Sequence, residues 1–568
     1  NNMSFFSPIT ARSAAIRWIY LVVYIILTLG GLTMLLPLLV SVTSSVAGGY
    51  DAGRIGFYPE FLTNKTELWR RYLDAKYVGR TEMLGIAWGQ AKTFPASAEL
   101  PAEPPDLQKI QLWEQFVKET NPPMSDFLLG FTRSTNKEAS YYNRGYVNWL
   151  LENNGGSLKG VNAHFDTTYA NLRQILPPLM DAIGPVALPN PVTKAFNQFC
   201  DTVPLNRKIA WNIGNYFRLY YLPQKFGSNI DLYNAKYNTT YKKFGEIPFP
   251  ATVPNVGQES WITFVSRALS TRFTELSPEG EAARAKLGMD RAVFIRTVAK
   301  PEYFRINSLD IQYADWAAKH GVTDARIPQK DLDNQDFQAT KAFWAGQFLT
   351  QNYAFVLNEI VFQGTAFRNT IILIVLTVGG ALIINPLAAY ALSRFKLRQS
   401  YTLLLFFLLT ISFPAEVTLI PNFLLLKELG WLNTFAALVI PSLVNGFSVF
   451  LLKGFFDSLP RELYEAAEID GASEWTIFWG VTMNLSQPIL AVIALGAFTS
   501  AYGAFMFALI TAPDPKMWTL MVYIYQLRQS VTPPIIYASV ILTALPVLVV
   551  FLFAQNIILR GIVVPSDK

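Results

Sequence analysis

Long stretches without a charged side chain are the feature of this 568-residue sequence that most restricts its fold. A charged group in the hydrocarbon core of a bilayer costs at least about 2.5 kcal/mol, and a helix needs ~20 apolar residues to cross that core. Residues 18–50 contain no Asp, Glu, Lys or Arg, and five further uncharged runs follow residue 366. We predict six transmembrane helices, at Trp18–Val46, within 369–393, at Tyr401–Ile420, within 429–452, at Ser486–Ile510 and within 529–559.

The first predicted helix differs from a cleaved signal peptide. Its uncharged run is longer than the ~7–15 apolar residues of a signal peptide, and it lacks a short A-x-A exit, so we expect it to be retained as a span. With six spans, the basic residues that flank them fall on one side, which the positive-inside rule makes cytoplasmic. These residues are Arg12, Arg17, Arg394, Lys396, Arg398, Arg560 and Lys568. We therefore expect both termini and the loop 453–485 to be cytoplasmic, and the region 47–366 to lie outside.

Most of the charge lies between the first two predicted spans. Of the 47 Lys and Arg and the 41 Asp and Glu, 34 and 31 lie within residues 47–366, which gives that region a net charge of 34 − 31 = +3. A nearly neutral region is not a nucleic-acid-binding surface. A single cysteine, Cys200, excludes an intrachain disulfide, and two histidines, His164 and His320, leave little for a zinc site. The sequence has no GxxxxGK[ST] motif and no GxGxxG after a strand, so we expect no nucleotide site in this chain.

The region between the first two spans is predicted to be a folded, mostly helical soluble domain. Apolar Ile110, Trp113 and Phe116 recur at helical spacing, and the segment Ser277–Gly288 has a capping serine, a proline in the first turn and a terminal glycine. Aromatic residues at helical spacing usually form core, but aromatic faces also bind sugar rings, and the sequence leaves that alternative open. A glycosidase-type carboxylate pair is likewise not excluded among so many acids.

The loop between the fourth and fifth spans contains a short predicted amphipathic helix, Leu459–Ser473. Leu463, Ala466 and Ala467 are expected to form a narrow face that another surface can approach closely. Gly471 supplies a residue able to adopt positive φ where the chain turns back. The segment is too short to fold alone and is acidic rather than basic, so we expect it to dock in a partner's groove rather than on anionic lipid.

This loop resembles the EAA loop of ABC importer permeases, with Glu465-Ala466-Ala467, three residues and then Gly471. The flanking residues are similar to the carbohydrate-importer branch, in particular to maltose-type permeases with a short basic C-terminus. The stretches Ala388–Phe395 and Phe450–Phe456 resemble the same family, as do Asn369 and Ile420-Pro421.

The resemblance covers about residues 16–64 and 348–562, and it implies three parts of the chain. Residues 1–64 would hold the N-terminal tail, the first transmembrane helix and the start of an external connector. Residues 65–345 would be an inserted extracytoplasmic helical domain, which the family pattern does not predict. Residues 346–568 would form the permease core, with helices two to six and the EAA loop at about 453–485. The fold class is thus expected to be an all-α membrane protein of ABC importer permease type.

The resemblance also implies how the chain works. In this family the permease catalyses no reaction, and a cytoplasmic ABC ATPase dimer, which binds ATP and Mg, moves the EAA helix; no cofactor is expected in this chain. A second permease subunit, giving a heterodimer, an extracytoplasmic solute-binding protein and the lipid of a bacterial inner membrane are the other implied partners, and no nucleic acid is expected. The residues implied to contact the ATPase are Arg461, Glu465, Ala466, Ala467, Asp470, Gly471 and Ala472.

Polar residues at membrane depth are candidates for the path of a carbohydrate. They are Asn385, Glu416, Asn445 and Tyr502, and they fit hydrogen bonds between helices equally well. Two positions depart from the family pattern: Asn484 replaces a usual proline, and Tyr502-Gly503 replaces a frequent Trp-Asn pair. The usual substrate contacts are therefore not carried over.

Two other functions stay open at this point. The size of the insertion and the two departures fit a permease-like membrane anchor that presents an extracytoplasmic receptor or scaffold domain. An insertion that trims the substrate enzymatically is the third possibility, although no catalytic signature marks it.

Overall fold

The computed structural model describes residues 14–48, 51, 53–54, 56–77, 82–91, 93–129, 141–169, 172–175, 177, 191–362, 364–395, 398–411 and 414–561. The chain divides into two compact units, Asn1–Val46 with Thr350–Lys568, called the permease unit below, and Ala47–Leu349, called the insertion unit. Helices dominate both units, as the all-α prediction requires, and the helix Gln329–Leu357 runs across the boundary in the sequence. Of the basic residues used to predict orientation, Arg12, Lys396 and Lys568 lie outside the described residues, as do the side chains of Arg17 and Arg560.

The permease unit contains three described helices long and apolar enough to cross a membrane, within Trp18–Ser45, Ala366–Arg394 and Pro533–Gln555. Two bent pairs bring the number to as many as five, if each pair counts as one span: Phe435–Ser442 with Gly446–Asp457 (46°), and Glu474–Leu485 with Gln487–Tyr502 (83°). The helices of this unit are Ala14–Ser45, Asn358–Phe362 (π), Ala366–Arg394, Ser400–Ile411, Ala415–Glu428, Phe435–Val439, Ile440–Ser442 (3-10), Gly446–Asp457, Arg461–Ile469, Glu474–Thr476, Ile477–Thr482 (π), Met483–Leu485, Gln487–Tyr502, Met506–Thr511, Pro515–Met517 (3-10), Leu520–Leu527 and Pro533–Gly561.

A proline marks the place where the structure departs from the third predicted span. The third span was predicted as one helix, Tyr401–Ile420, but the structure has two, Ser400–Ile411 and Ala415–Glu428, with Pro414 at the start of the second. Pro414 itself has a non-helical ψ of 138°, so the second helix begins only after it.

The predicted fifth span, Ser486–Ile510, is also shorter in the structure. The helix runs from Gln487 to Tyr502, and a separate helix, Met506–Thr511, follows. Pro488 lies in the first turn of this helix, where a missing N–H is tolerated, and the helix is shortened at its other end, before Gly503.

The described part of the insertion unit has mostly short helices and two small antiparallel sheets. One sheet pairs Phe127–Leu128 with Ile209–Ala210, and the other pairs Thr274–Leu276 with Phe304–Ile306. The α-helices of this unit are Lys65–Lys76, Glu82–Trp88, Leu107–Thr120, Tyr141–Asn153, Leu158–Phe165, Pro191–Thr202, Ile213–Tyr216, Leu222–Phe226, Ile230–Tyr237, Gln258–Thr263, Pro278–Leu287, Arg291–Thr297, Leu309–Lys319 and Gln329–Leu357. The π- and 3-10 helices are Phe217–Tyr221, Phe264–Ala268, Glu60–Leu62, Pro95–Ser97, Met124–Asp126, Leu172–Gln174, Leu205–Arg207, Phe244–Glu246, Thr271–Phe273 and Pro301–Tyr303.

The helical patterns expected in this region are present. Ile110, Trp113 and Phe116 are buried in a cluster with residues of other helices and of the first sheet. The hydroxyl of Ser277 accepts a hydrogen bond from the backbone of Gly280, and Gly288 ends the helix with a φ of +61°. The aromatic stretches thus form core here, as their spacing predicted.

A buried ion pair joins the helices Lys65–Lys76 and Gln329–Leu357. Lys76 Nζ lies 2.7 Å from Asp333 Oδ1, and both side chains are completely buried. Tyr77 and Trp88 donate hydrogen bonds to Asp333 Oδ2, and Gln329 donates one to Oδ1. Because these donors replace the water that the carboxylate has lost, the charged pair is tolerated in the core and connects the two ends of the insertion unit.

We expect Asp333→Leu to lower the free energy of unfolding of the insertion unit by about 3–5 kcal/mol, because it leaves Lys76 as an unpaired buried charge. The double variant Lys76→Met with Asp333→Leu should be less destabilised than Asp333→Leu alone. Thermal unfolding of the full chain, with hydrogen–deuterium exchange of the two helices, measures both effects. Lys236→Met, which breaks an exposed pair with Glu259, is the control and should change stability by less than about 1 kcal/mol. A double variant at least as unstable as Asp333→Leu would contradict the explanation.

Burial raises the pKa of Asp126 to about 6, from 3.8 in an unfolded chain. Between about pH 4 and 6 the folded state therefore keeps a proton that the unfolded state has lost. The stability that the neutral carboxyl provides is complete below pH 4 and is lost as the pH rises to 6, by up to about 3 kcal/mol. Asp126→Asn should remove this dependence and melt at a higher temperature than the wild type at pH 7. Melting curves between pH 4 and 7 test this, and a difference that does not vary with pH would contradict it.

Candidate functional site

The loop that contains the EAA-like sequence folds as a helix closed by a glycine turn. The helix Arg461–Ile469, called the coupling helix below, begins after Pro460. At its end the backbone N–H of Gly471 donates to the carbonyl of Glu468, and that of Ala472 donates to Ala467. These two bonds form a Schellman motif, and Gly471 has a φ of +77°, as the sequence predicted for this turn.

Tyr464 attaches the coupling helix to the body of the permease unit. Its side chain is only 6% exposed and packs in an apolar cluster with residues of the helices Ala366–Arg394 and Gly446–Asp457 and of the segment after the turn. Its hydroxyl accepts a hydrogen bond from Thr482 at 3.3 Å. Ala467 and Ala472 are half-buried against the same cluster. The expected face of Leu463, Ala466 and Ala467 is therefore divided, because Ala467 lies on the same side of the helix as Tyr464.

The opposite side of the loop is exposed. Among the residues predicted to contact an ATPase, those with exposed side chains or backbone are Arg461, Glu465, Ala466, Asp470 and Gly471. Large apolar residues lie beside them: Ile469 is 86% exposed, Trp475 62% and Leu463 42%. Exposed large apolar residues next to acidic ones have the composition of a protein interaction surface.

Residues that no sequence motif singled out for this role attach the loop to the end of the helix Ala366–Arg394. Arg394, the last residue of the helix Ala366–Arg394, forms ion pairs with Glu468 on the coupling helix and with Glu474 after the turn. Its guanidinium also lies 4.9 Å from the ring of Tyr464, and Tyr390 donates a hydrogen bond of 2.6 Å to Glu474. The available signal was the spacing of Tyr390 and Arg394, since residues four apart share one face of a helix.

Two of the predicted path residues meet at the bend between Phe435–Ser442 and Gly446–Asp457. Asn385 is completely buried; its amide nitrogen donates to the carbonyl of Leu443, and its oxygen accepts from the backbone N–H of Asn445. The exposed Asn445 side chain accepts a hydrogen bond from the backbone of Ser448 and caps the following helix. Asn385 therefore supplies hydrogen bonds at a place where the backbone leaves helical geometry.

The other two path candidates lie elsewhere. Tyr502 is 5% exposed, and its hydroxyl donates to the carbonyl of Thr543 at 2.5 Å, so it connects Gln487–Tyr502 to the last helix. Glu416 belongs to the helix Ala415–Glu428, but its side chain lies outside the described residues. The structure thus groups Asn385 with Asn445 and leaves Tyr502 apart from them.

The insertion unit has no comparable cluster of reactive groups among the residues that the structure describes. No three His, Cys, Asp or Glu side chains in that part of the chain are placed to hold a metal ion. His164 is exposed, and His320 stacks on Trp316 with its Nδ1 2.8 Å from the Trp316 carbonyl. Tyr146 is fully buried, whereas Trp149 and His164 line a surface pocket.

The chain is similar to a known protein family and to several known permeases. The model of the family described as "Binding-protein-dependent transport system inner membrane component" matches residues 384–564. UgpE, the sn-glycerol-3-phosphate transport system permease protein of Yersinia pestis, is 31% identical over 247 residues, which cover 42% of this chain and 87% of UgpE.

Two further relatives match the chain over about 200 residues each. Protein LplC of Bacillus subtilis is 32% identical over 196 residues, or 32% of this chain and 66% of LplC. AraQ, the arabinooligosaccharides transport system permease protein of Halalkalibacterium halodurans, is 27% identical over 222 residues, or 38% of this chain and 78% of AraQ.

We expect Asn385→Leu to destabilise the permease unit by about 1–3 kcal/mol, because it leaves the backbone groups at Leu443 and Asn445 without their hydrogen-bond partner. Thermal unfolding of the detergent-solubilised chain measures the effect. The matched control is Asn484→Leu, since the exposed Asn484 side chain donates a hydrogen bond to the carbonyl of Gly480 within its own segment. Equal melting temperatures for the two variants would show that the bonds across the bend contribute nothing.

Proposed function

Because this chain belongs to the family of binding-protein-dependent transport system inner membrane components, we propose that it is the permease subunit of an ATP-driven importer and is driven through its coupling helix. The membrane permeases of this family are themselves non-catalytic. In this proposal a separate cytoplasmic ATPase binds ATP and Mg, and the permease changes between two arrangements that open to opposite sides.

The exposed surface of the coupling helix is the observation that carries the proposal. Tyr464 fixes one side of the helix to the permease unit, while Ile469 and Leu463 on the other side have no partner within the described part of this unit that buries them. Large apolar side chains that are this exposed gain from being buried by a partner, and the acidic residues Glu462, Glu465 and Asp470 beside them do not suit anionic lipid. A groove on another protein subunit satisfies both conditions.

A carbohydrate or sugar-like solute is the proposed substrate. UgpE and AraQ carry names that assign them to the transport of sn-glycerol 3-phosphate and of arabinooligosaccharides. Among the path candidates whose side chains are described, Asn445 is favoured, because it is exposed, whereas Asn385 and Tyr502 are buried and hydrogen-bonded within the unit.

The remaining partners follow from the same proposal. A second permease subunit would complete the transmembrane pathway, and an extracytoplasmic binding protein would deliver the solute. We propose that residues 65–345 lie on the extracytoplasmic side, where a binding protein or a neighbouring subunit can contact them, and that both termini lie in the cytoplasm. The alternative, a membrane anchor that presents a receptor domain and does not transport, needs no ATPase partner.

Variants of Gly471 and Glu465 test the coupling surface. At φ +77° any L-residue with a β-carbon is strained, but Asn tolerates this region better than Val, so Gly471→Val should weaken the ATPase contact and Gly471→Asn should largely preserve it. Glu465→Lys reverses a charge on the exposed face and should cost about 1–3 kcal/mol of binding. The measurement is the amount of ATPase that co-purifies from native membranes and its ATP hydrolysis rate.

Glu428→Lys is the matched control, because Glu428 is also an exposed acid of the permease unit but lies far along the chain from the loop. It should leave co-purification unchanged. Recovery of no ATPase with the wild-type chain would favour the receptor alternative. If the wild type, Gly471→Val and Glu465→Lys recover equal amounts of ATPase, the ATPase does not bind through this loop.

A further inference from the structure

The side chain of Arg394 contacts both the coupling helix and the segment after its glycine turn. Arg394 forms an ion pair with Glu468, before the Gly471 turn, and a longer one with Glu474, after it, where its Nε lies 4.0 Å from Oε1. The two carboxylates belong to different helices, so an arginine between them constrains the angle at which the chain turns. The planar guanidinium suits this task, because it presents several donors in a fixed geometry, which a lysine ammonium does not.

The same side chain also contacts the anchor of the coupling helix. The guanidinium carbon lies 4.9 Å from the centre of the Tyr464 ring. One turn earlier in the helix Ala366–Arg394, Tyr390 donates to Glu474 and packs against Phe478, with 5.2 Å between the ring centres. Two residues at the end of one transmembrane helix therefore contact the coupling helix, the residue after its turn and the segment that follows.

We propose that Arg394 is the positioning residue that transmits movement of the coupling helix to the transmembrane helix Ala366–Arg394. This inference rests on the proposed function and adds the route by which a push on the loop reaches the membrane. Tyr464 alone permits the loop to rotate about one attachment. Arg394 with Glu468 and Glu474 adds contacts on both sides of the turn, and the loop then moves with the helix as one body.

Exposure indicates that this contact orients the loop rather than holding the fold together. The Arg394 side chain is 22% exposed, and those of Glu468 and Glu474 are about half exposed. Ion pairs that reach solvent contribute little to stability. Loss of Arg394 should therefore leave the chain folded, and its effect should appear in the response to nucleotide.

The test compares the complex purified from native membranes without nucleotide and after trapping with Mg-ATP and vanadate. Hydrogen–deuterium exchange over the whole permease unit reports the response. With wild-type chain we expect a nucleotide-dependent difference in both Arg461–Ile469 and Ala366–Arg394. With Arg394→Met the difference in Ala366–Arg394 should fall at least about five-fold, while the ATPase still co-purifies and traps nucleotide. Arg394→Lys, which keeps the charge, should restore part of it.

A variant cycle shows whether Arg394 acts through the two acids. Glu468→Gln with Glu474→Gln should reproduce Arg394→Met, and adding Arg394→Met to that pair should have no further effect, because residues that act as a unit are not additive. Lys453→Met is the control, since Lys453 pairs with Asp457 within its own helix. A wild-type response retained in Arg394→Met, or additive effects in the cycle, would overturn the inference. A wild-type complex without any nucleotide-dependent change would contradict the proposed function itself.

Discussion

The absence of water from the membrane interior is the constraint on which the rest of this structure depends. A buried polar group must find its partner within the protein, and the helix Ala366–Arg394 shows how this is achieved. Near its start, Asn369 donates to the carbonyls of Lys516 and Trp518. In its middle, Asn385 bonds to the bend before Gly446–Asp457. Each polar residue thus also fixes the position of a neighbouring segment.

The last residue of the same helix also fixes the position of a neighbouring segment, here at the protein surface. Arg394 meets two carboxylates there, and the coupling helix that carries one of them exposes its apolar residues on the opposite side. The proposed coupling needs both attachment on one side and exposure on the other, because a loop without attachment transmits no movement and a loop without an exposed surface offers a partner no contact. The amino acids of the loop supply both in nine helical residues, Arg461–Ile469, and one glycine turn.

The sequence predicted those features that depend on local chemistry. The uncharged runs indicated the helical membrane character of the chain, because the cost of a charge in hydrocarbon does not depend on the fold. The turn at Gly471 and the caps of Pro278–Leu287 followed from residues whose backbone preferences are intrinsic. Pro414, where the third predicted span divides, and Pro488, just after a bend, are also local features of the sequence. The uncharged runs alone do not reveal these breaks, because a proline is uncharged. The neighbours of Ala467, in contrast, depend on where the loop packs.

What the sequence by itself determined is therefore the helical membrane character of the chain, the charge-rich region after the first apolar run and the presence of the EAA-like loop. Only the tertiary structure decided that Asn385 bonds across a bend, that Lys76 and Asp333 pair between helices far apart in the sequence, and that Arg394 reaches Glu468 and Glu474. The physical reason is distance along the chain. Hydrophobicity and backbone preference act within a few residues, whereas an ion pair or hydrogen bond between distant residues exists only once packing has brought its two ends together.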